Sequence, residues 1–271
     1  MLSVPFPLRY LFASQPAIMS QVLGIVYRAL AAHLIKKAGF VQASAHTGAV
    51  TLIQRFGSAL NLNSHFHMLF LDGVYIETPK TKFRPVMGPT HNELVQLVHT
   101  VSHRIARFLE RRGLLVRDAE NAYLDLQPED ESPMDTLMGH SITYRIATGP
   151  NAGRKVLTLQ TLPAIEDEGS SRVASMDGFS LPAGVATPAH ERDKLERVCR
   201  YITRPAVSAK RLSLTATGNI RYSLKTPYRD GTTHVIFEPL DFMYRMYGMP
   251  RAQEAQERPC HAWPRSCQSP V

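Results

Sequence analysis

The amino-acid sequence predicts an α+β fold, in which an antiparallel sheet is flanked by helices and followed by a C-terminal β-meander and helix. Three observations carry this reading. Two stretches, Gln15 to Ala38 and Thr90 to Gly113, place apolar residues at helical spacing over several turns. Two neighbouring segments, Ala49 to Phe56 and the run from His65 to Leu71, read as strands joined by the short link 57–63. From Arg211 to Phe237, strand-like runs alternate with turns at Gly218-Asn219 and Asp230-Gly231.

Taken in order, Leu2 to Phe12 is strand-like but broken by Pro5 and Pro7, which suits an edge or terminal strand. The first helical stretch carries Ile18, Val22, Ile25, Val26, Ala29 and Ile35 as its stripe, with Pro16 in a first turn and Gly39 as a C-terminal cap. The two strands after it should pair antiparallel, with Asp72-Gly73 as a turn and Lys80 to Pro89 as a connection. Thr90 and Glu93 have capping-box spacing ahead of Leu94, Leu97, Val98, Val101, Ile105 and Phe108. On that helix Arg104, Arg107 and Arg111 form a basic stripe, either a solvated face or a nucleic-acid contact. Ser141 to Ala147 and Lys155 to Thr161 read as a hairpin, and Ile165 to Pro182 as a loose stretch. Thr187-Pro188 opens a helix through Leu195, Val198, Cys199 and Ile202, and Glu238 begins a final one.

The expected organisation is 1–117 as the N-terminal part of a core with the histidine strand, then 118–140 as an acidic insertion or linker. Residues 141–249, with the hairpin, the Tyr201 helix and the meander, complete the core, and 250–271 form a disordered or out-of-frame tail. Cys260, His261 and Cys267 in that tail lack the paired spacing of a zinc site.

Composition narrows the function classes. A chain of 271 residues with 44% hydrophobic content can bury a core without staples, and three cysteines make no disulfide framework, which fits a reducing cytoplasm. The run from Ala17 to Ile35 is interrupted by Gln21, Arg28 and His33, so it reads as too polar for a membrane span and has no signal-peptide layout. There is no GxxxxGK[ST] phosphate loop and no GxSxG elbow, so a nucleotide cofactor and serine-hydrolase chemistry have no support. A formal net charge of +8 favours a polyanionic partner.

Two side-chain sets carry candidate chemistry. On a strand, His65 and His67 project to the same face, with Phe66 turned away. They are either core histidines satisfied by hydrogen bonds or half of a metal site. In an antiparallel pair, an inward residue of the preceding strand would join them, and Gln54 is the most suitable type there. In the second set Tyr201 lies at the edge of the apolar stripe of its helix, with Lys194, Arg197, Arg200, Arg204, Lys210 and Arg211 nearby. It is either a core-edge tyrosine among phosphate-positioning cations or a nucleophile, since neighbouring cations favour tyrosinate.

His65-Phe66-His67 followed by Cys199-Arg-Tyr-Ile-Thr-Arg-Pro-Ala206 resembles the HUH single-strand endonucleases, and specifically transposases of the IS91 group, including insertion sequences with common regions. The likeness runs from about Leu2 to Phe242. It includes the blocks Thr47 to Asn63, Thr143 to Ala147, Gly153 to Pro163 and Lys225 to Phe242.

The resemblance implies a rolling-circle-like transposase that nicks and rejoins single-stranded DNA at transposon ends and target, in the bacterial cytoplasm near the nucleoid. It also implies Mg²⁺ or Mn²⁺ held by His65 and His67 with Gln54 as third ligand, Tyr201 as nucleophile forming a 5′-phosphotyrosine, and Arg197, Arg200, Arg204, Lys210 and Arg211 as DNA contacts. Arg197 stands where two-tyrosine members carry their other tyrosine, so the single-tyrosine branch is the better likeness. A cysteine-rich zinc region ahead of the first strand and a C-terminal continuation are also expected of the group and are not in this sequence. The alternatives are an inactive remnant that only binds DNA and an unrelated metal enzyme using the two histidines.

Overall fold

The computed structural model describes residues 1–57, 59–77, 81–117, 122–124, 133–143, 145–146, 149–160, 173–203 and 207–247. The tail 250–271 and Arg204 therefore lie outside the described residues.

The chain opens with β1 (Leu2–Ser3), α1 (Phe6–Ser14), α2 (Pro16–Lys37), β2 (Ala45–His46), β3 (Ala49–Phe56) and β4 (Leu62–Phe70). Next come β5 (Gly73–Ile76), β6 (Lys82–Pro85), α3 (His91–Arg111), β7 (Leu115–Arg117), β8 (Ala122–Leu124) and α4 (Pro133–Ile142). The order continues with β9 (Leu157–Gln160), β10 (Val173–Met176), β11 (Phe179–Pro182) and α5 (Arg192–Ile202). It closes with β12 (Leu212–Leu214), β13 (Ile220–Ser223), β14 (Thr232–Phe237) and α6 (Pro239–Tyr247).

This is an α+β fold. The principal sheet has the order β10-β11-β1-β4-β3 and is antiparallel throughout. The histidine strand β4 is interior, between β1 and β3, as expected of a strand apolar on one face. Its face bearing Phe66 packs on α1, α2 and α3, where Phe12, Val26, Val101 and Ile105 share one buried cluster. The opposite face carries the histidines. A second sheet, β12-β13-β14-β9, has its own core around Tyr222, Val235 and Phe237, into which Ala59 and Leu60 of the β3–β4 link insert. A small sheet β2-β5-β6 and the pair β7-β8 complete the described strands.

Helix ends follow local rules. Gly39, at φ +84°, ends α2, with Gly39 N–H donating to Lys36 and Phe40 N–H to Ile35. Thr90 and Glu93 form the capping box at the start of α3, and Lys37 binds the same Glu93 carboxylate at 2.6 Å. That cap therefore joins the end of α2 to the start of α3. By length and hydropathy α2 could cross a membrane, yet it packs against α1 and α3 with ten residues buried, as a core helix does.

Several expectations change. Residues 6–14 form a helix and not part of a strand, because Pro7 falls in its first turn, where no amide donor is needed, and Leu8, Leu11 and Phe12 then share one buried face. The loose stretch up to Pro182 contains the hairpin β10–β11, turned by Asp177-Gly178 with both residues at positive φ. Residues through Ile142 are helical, so the expected hairpin reduces to the single bridge Arg145–Lys155, while β9 pairs with β14. Lys82–Pro85 is a strand within the expected connection, paired with β5. α5 starts at Arg192, because Pro188 instead anchors a turn closed by Glu191 N–H. α4 begins inside the acidic stretch 118–140, and its Ile142 joins Phe56 and Leu62 in a small cluster.

Candidate active site

β3 and β4 pair antiparallel with Gln54 opposite His65 and Leu52 opposite His67, so Gln54 shares the histidine face. An irregularity between Gln54 and Phe56 breaks the ladder just beyond this point, re-aiming the chain at the site. Gln54 Nε2 donates to the Phe56 carbonyl at 3.1 Å, which turns Oε1 inward to accept from His67 Nε2 at 2.9 Å. The two imidazoles lie 4.9 Å apart, centroid to centroid.

His65 is 8% exposed and donates Nδ1–H to the Asn63 carbonyl at 2.7 Å, leaving the Nε2 lone pair available. Burial holds its pKa below the usual value, against the pull of the Asn63 hydrogen bond, and the charge of Arg9 adds to the depression. His67 is pushed down to about 4, first by burial and then by His65. Both rings are thus neutral near pH 7, the state a metal requires. Two neutral imidazoles and an amide oxygen on one face fit a divalent cation once the His67 proton sits on Nδ1, with the cation taking the place of the Nε2–H to Oε1 contact. Among the described residues no three His, Cys, Asp or Glu side chains cluster, so the set depends on the Gln54 amide.

Tyr201 approaches the same face from α5. Its ring lies 6.5 Å from that of His67 with an interplanar angle of 82°. The helix presents half-buried Leu195, Val198, Cys199 and Ile202 toward the protein, buries no residue completely, and leaves Tyr201 55% exposed. Over the tyrosine ring sits the Lys225 ammonium, 3.7 Å from the centroid.

The structure thus brings together His65, His67 and Gln54, expected of antiparallel pairing, and Tyr201, which the sequence tied to them only through the family likeness. Arg197 and Arg200 are exposed on the same helix, and Arg200 is ion-paired to Glu196. Lys210 is exposed and Arg211 half-buried in the short turn before β12. Among the described residues no hydrogen bond or ion pair connects either of them to the histidines or Tyr201. Lys225 is the residue sequence reasoning missed. It stands in one of the blocks that carry the family likeness, but only the tertiary fold places it on the tyrosine.

No curated protein and no solved structure matches the chain significantly. Residues 48–249 match the protein-family model described as "Putative transposase", a span that includes Gln54, His65, His67, Tyr201 and Lys225. This match covers most of the chain, and the protein belongs to that transposase family.

Proposed function

We propose that the chain is an HUH-type tyrosine transposase of the IS91 kind, which nicks and rejoins single-stranded DNA. The observation that carries this is the meeting of Tyr201 with His67, beside His65 and Gln54, from parts of the matched span far apart in sequence. Mg²⁺ or Mn²⁺, held by His65, His67 and the Gln54 amide oxygen, would polarise the scissile phosphate and offset its developing charge.

The chain's own residues supply the remaining steps. The Tyr201 oxygen attacks phosphorus, the bond from phosphorus to the 3′ oxygen breaks, and the departing strand leaves as a 3′-hydroxyl that carries the proton. The 5′ side stays on the enzyme as a phosphotyrosine. Attack by a 3′-hydroxyl reverses the step and joins strands, so the phosphodiester is conserved and no nucleotide is consumed. The exposed Arg197, one turn before Tyr201, is suited to hold flanking phosphates, as are Arg200 and Lys210.

The test is incubation of the protein with single-stranded oligonucleotides from the ends of its element and Mn²⁺, followed by denaturing gel analysis. A covalent adduct that disappears in Tyr201→Phe is expected. Salt-sensitive binding without an adduct under any divalent metal would point instead to a remnant that only binds DNA.

A further inference from the structure

We infer that Lys225 is a positioning residue for Tyr201, holding the phenol ring at its place of attack and setting a positive charge beside the reacting phosphate. This rests on the tyrosine-nucleophile reading given above.

The tyrosine needs such a restraint. α5 buries none of its residues completely, and the Tyr201 side chain is more than half exposed, so its own helix leaves the ring free to turn. Attack on phosphorus requires the oxygen to be held in line with the departing bond, and loose geometry costs rate steeply. Two side chains from outside the helix flank the ring: His67 at 6.5 Å with near-perpendicular planes, and the Lys225 ammonium at 3.7 Å from the centroid. A cation over an aromatic face is attracted by the ring quadrupole, which defines one orientation of the phenol.

Lys194, Arg197 and Arg200 lie on α5 itself and move with it. Lys225 comes instead from the second sheet. It follows β13 directly, after buried Tyr222 and Leu224, and Leu224 N–H donates to the Thr233 carbonyl at 2.8 Å. The backbone carrying the ammonium is therefore fixed, while its stem is long enough to follow a phosphate. As the tyrosine oxygen adds, negative charge gathers on the phosphoryl oxygens, and a preplaced ammonium offsets it without reorganisation.

The test uses the full chain, Mn²⁺ and a single-stranded oligonucleotide that the wild type cleaves. Rates of covalent adduct formation are measured in single turnovers at saturating protein, and DNA affinity separately by fluorescence anisotropy. Lys225 is exposed, so Lys225→Met and Lys225→Arg are expected to melt with the wild type. Lys225→Met should lower the adduct rate about 10- to 100-fold while the dissociation constant moves less than about threefold, and Lys225→Arg should restore most of the rate. A wild-type rate in Lys225→Met overturns the inference, as does a loss confined to affinity or a defect that arginine does not repair. If the wild type forms no adduct, or Tyr201→Phe still forms one, the tyrosine reading itself fails and the role of Lys225 falls with it.

Discussion

The histidine pair shows how much one residue's surroundings decide. His67 is held neutral because burial and the neighbouring His65 push its pKa down to about 4, while an unfolded histidine titrates near 6.5. Above about pH 6.5 neither state binds the proton, so the full contribution to stability is present. As pH falls from 6.5 toward 4, the unfolded chain takes up a proton that the folded chain refuses, and stability declines. His65 and His33 are shifted in the same direction and add to the slope. Thermal melts of metal-free protein should therefore show a midpoint that drops between pH 7 and 4.5, and His67→Gln should flatten part of that drop. Glu93, held at about 2 by Lys37 and its own cap, contributes only at lower pH, so the two effects separate. A slope in that window identical in wild type and His67→Gln would show that His67 is not held neutral by the fold.

Among the elements, α3 is the most fully specified by its own sequence. Its capping box, its stripe of Leu94, Val98, Val101 and Ile105, and its Gly113 end all act locally. Thr90→Ala removes the acceptor for Glu93 N–H and should cost about 1 kcal/mol in chemical denaturation, with the midpoint reporting the loss. Because Lys37 of α2 binds the Glu93 carboxylate, the same variant should also weaken the effect of Lys37→Met in a double-mutant cycle. α5 is the opposite case. Its amphipathic pattern is legible, but the pattern does not say which surface receives it, and its start lies four residues later than the Thr187-Pro188 signal suggests. Local capping chemistry lost there to a turn closed between Pro188 and Glu191.

At the scale of the whole molecule, α6, which packs on the second sheet through Phe242, is tied to the histidine strand by a buried arginine whose ion pair with Asp241 is local to the helix. Arg245 of α6 is 5% exposed and binds Asp241, 1% exposed, at 2.8 Å. Its guanidinium also donates to the Arg145 carbonyl at 2.7 Å and reaches the Ser141 hydroxyl at 3.5 Å. Ser141 in turn accepts the Leu62 N–H at the start of the histidine strand, at 3.0 Å. Arg245→Ala leaves a buried carboxylate without this partner and should destabilise the fold by about 3–5 kcal/mol, measured by urea unfolding. If the loss is under about 1 kcal/mol, Arg245 is not the tie that its burial and its bonds to Arg145 and Ser141 imply.

What the sequence determined by itself is what short-range physics fixes. Alternation put His65 and His67 on one face, turn and capping residues bounded α2 and α3, and antiparallel pairing made Gln54 the natural companion of the histidines. Tertiary structure alone decided the rest. It turned Leu8, Leu11 and Phe12 into a buried helical face, drew β10 and β11 onto the edge of the principal sheet, and carried Tyr201 and Lys225 to the histidines. The physical reason is that these contacts join residues far apart in the chain, and their partners are chosen by which apolar faces pack together. A helix or strand pattern records that a face is to be buried, and only the packed molecule says against what.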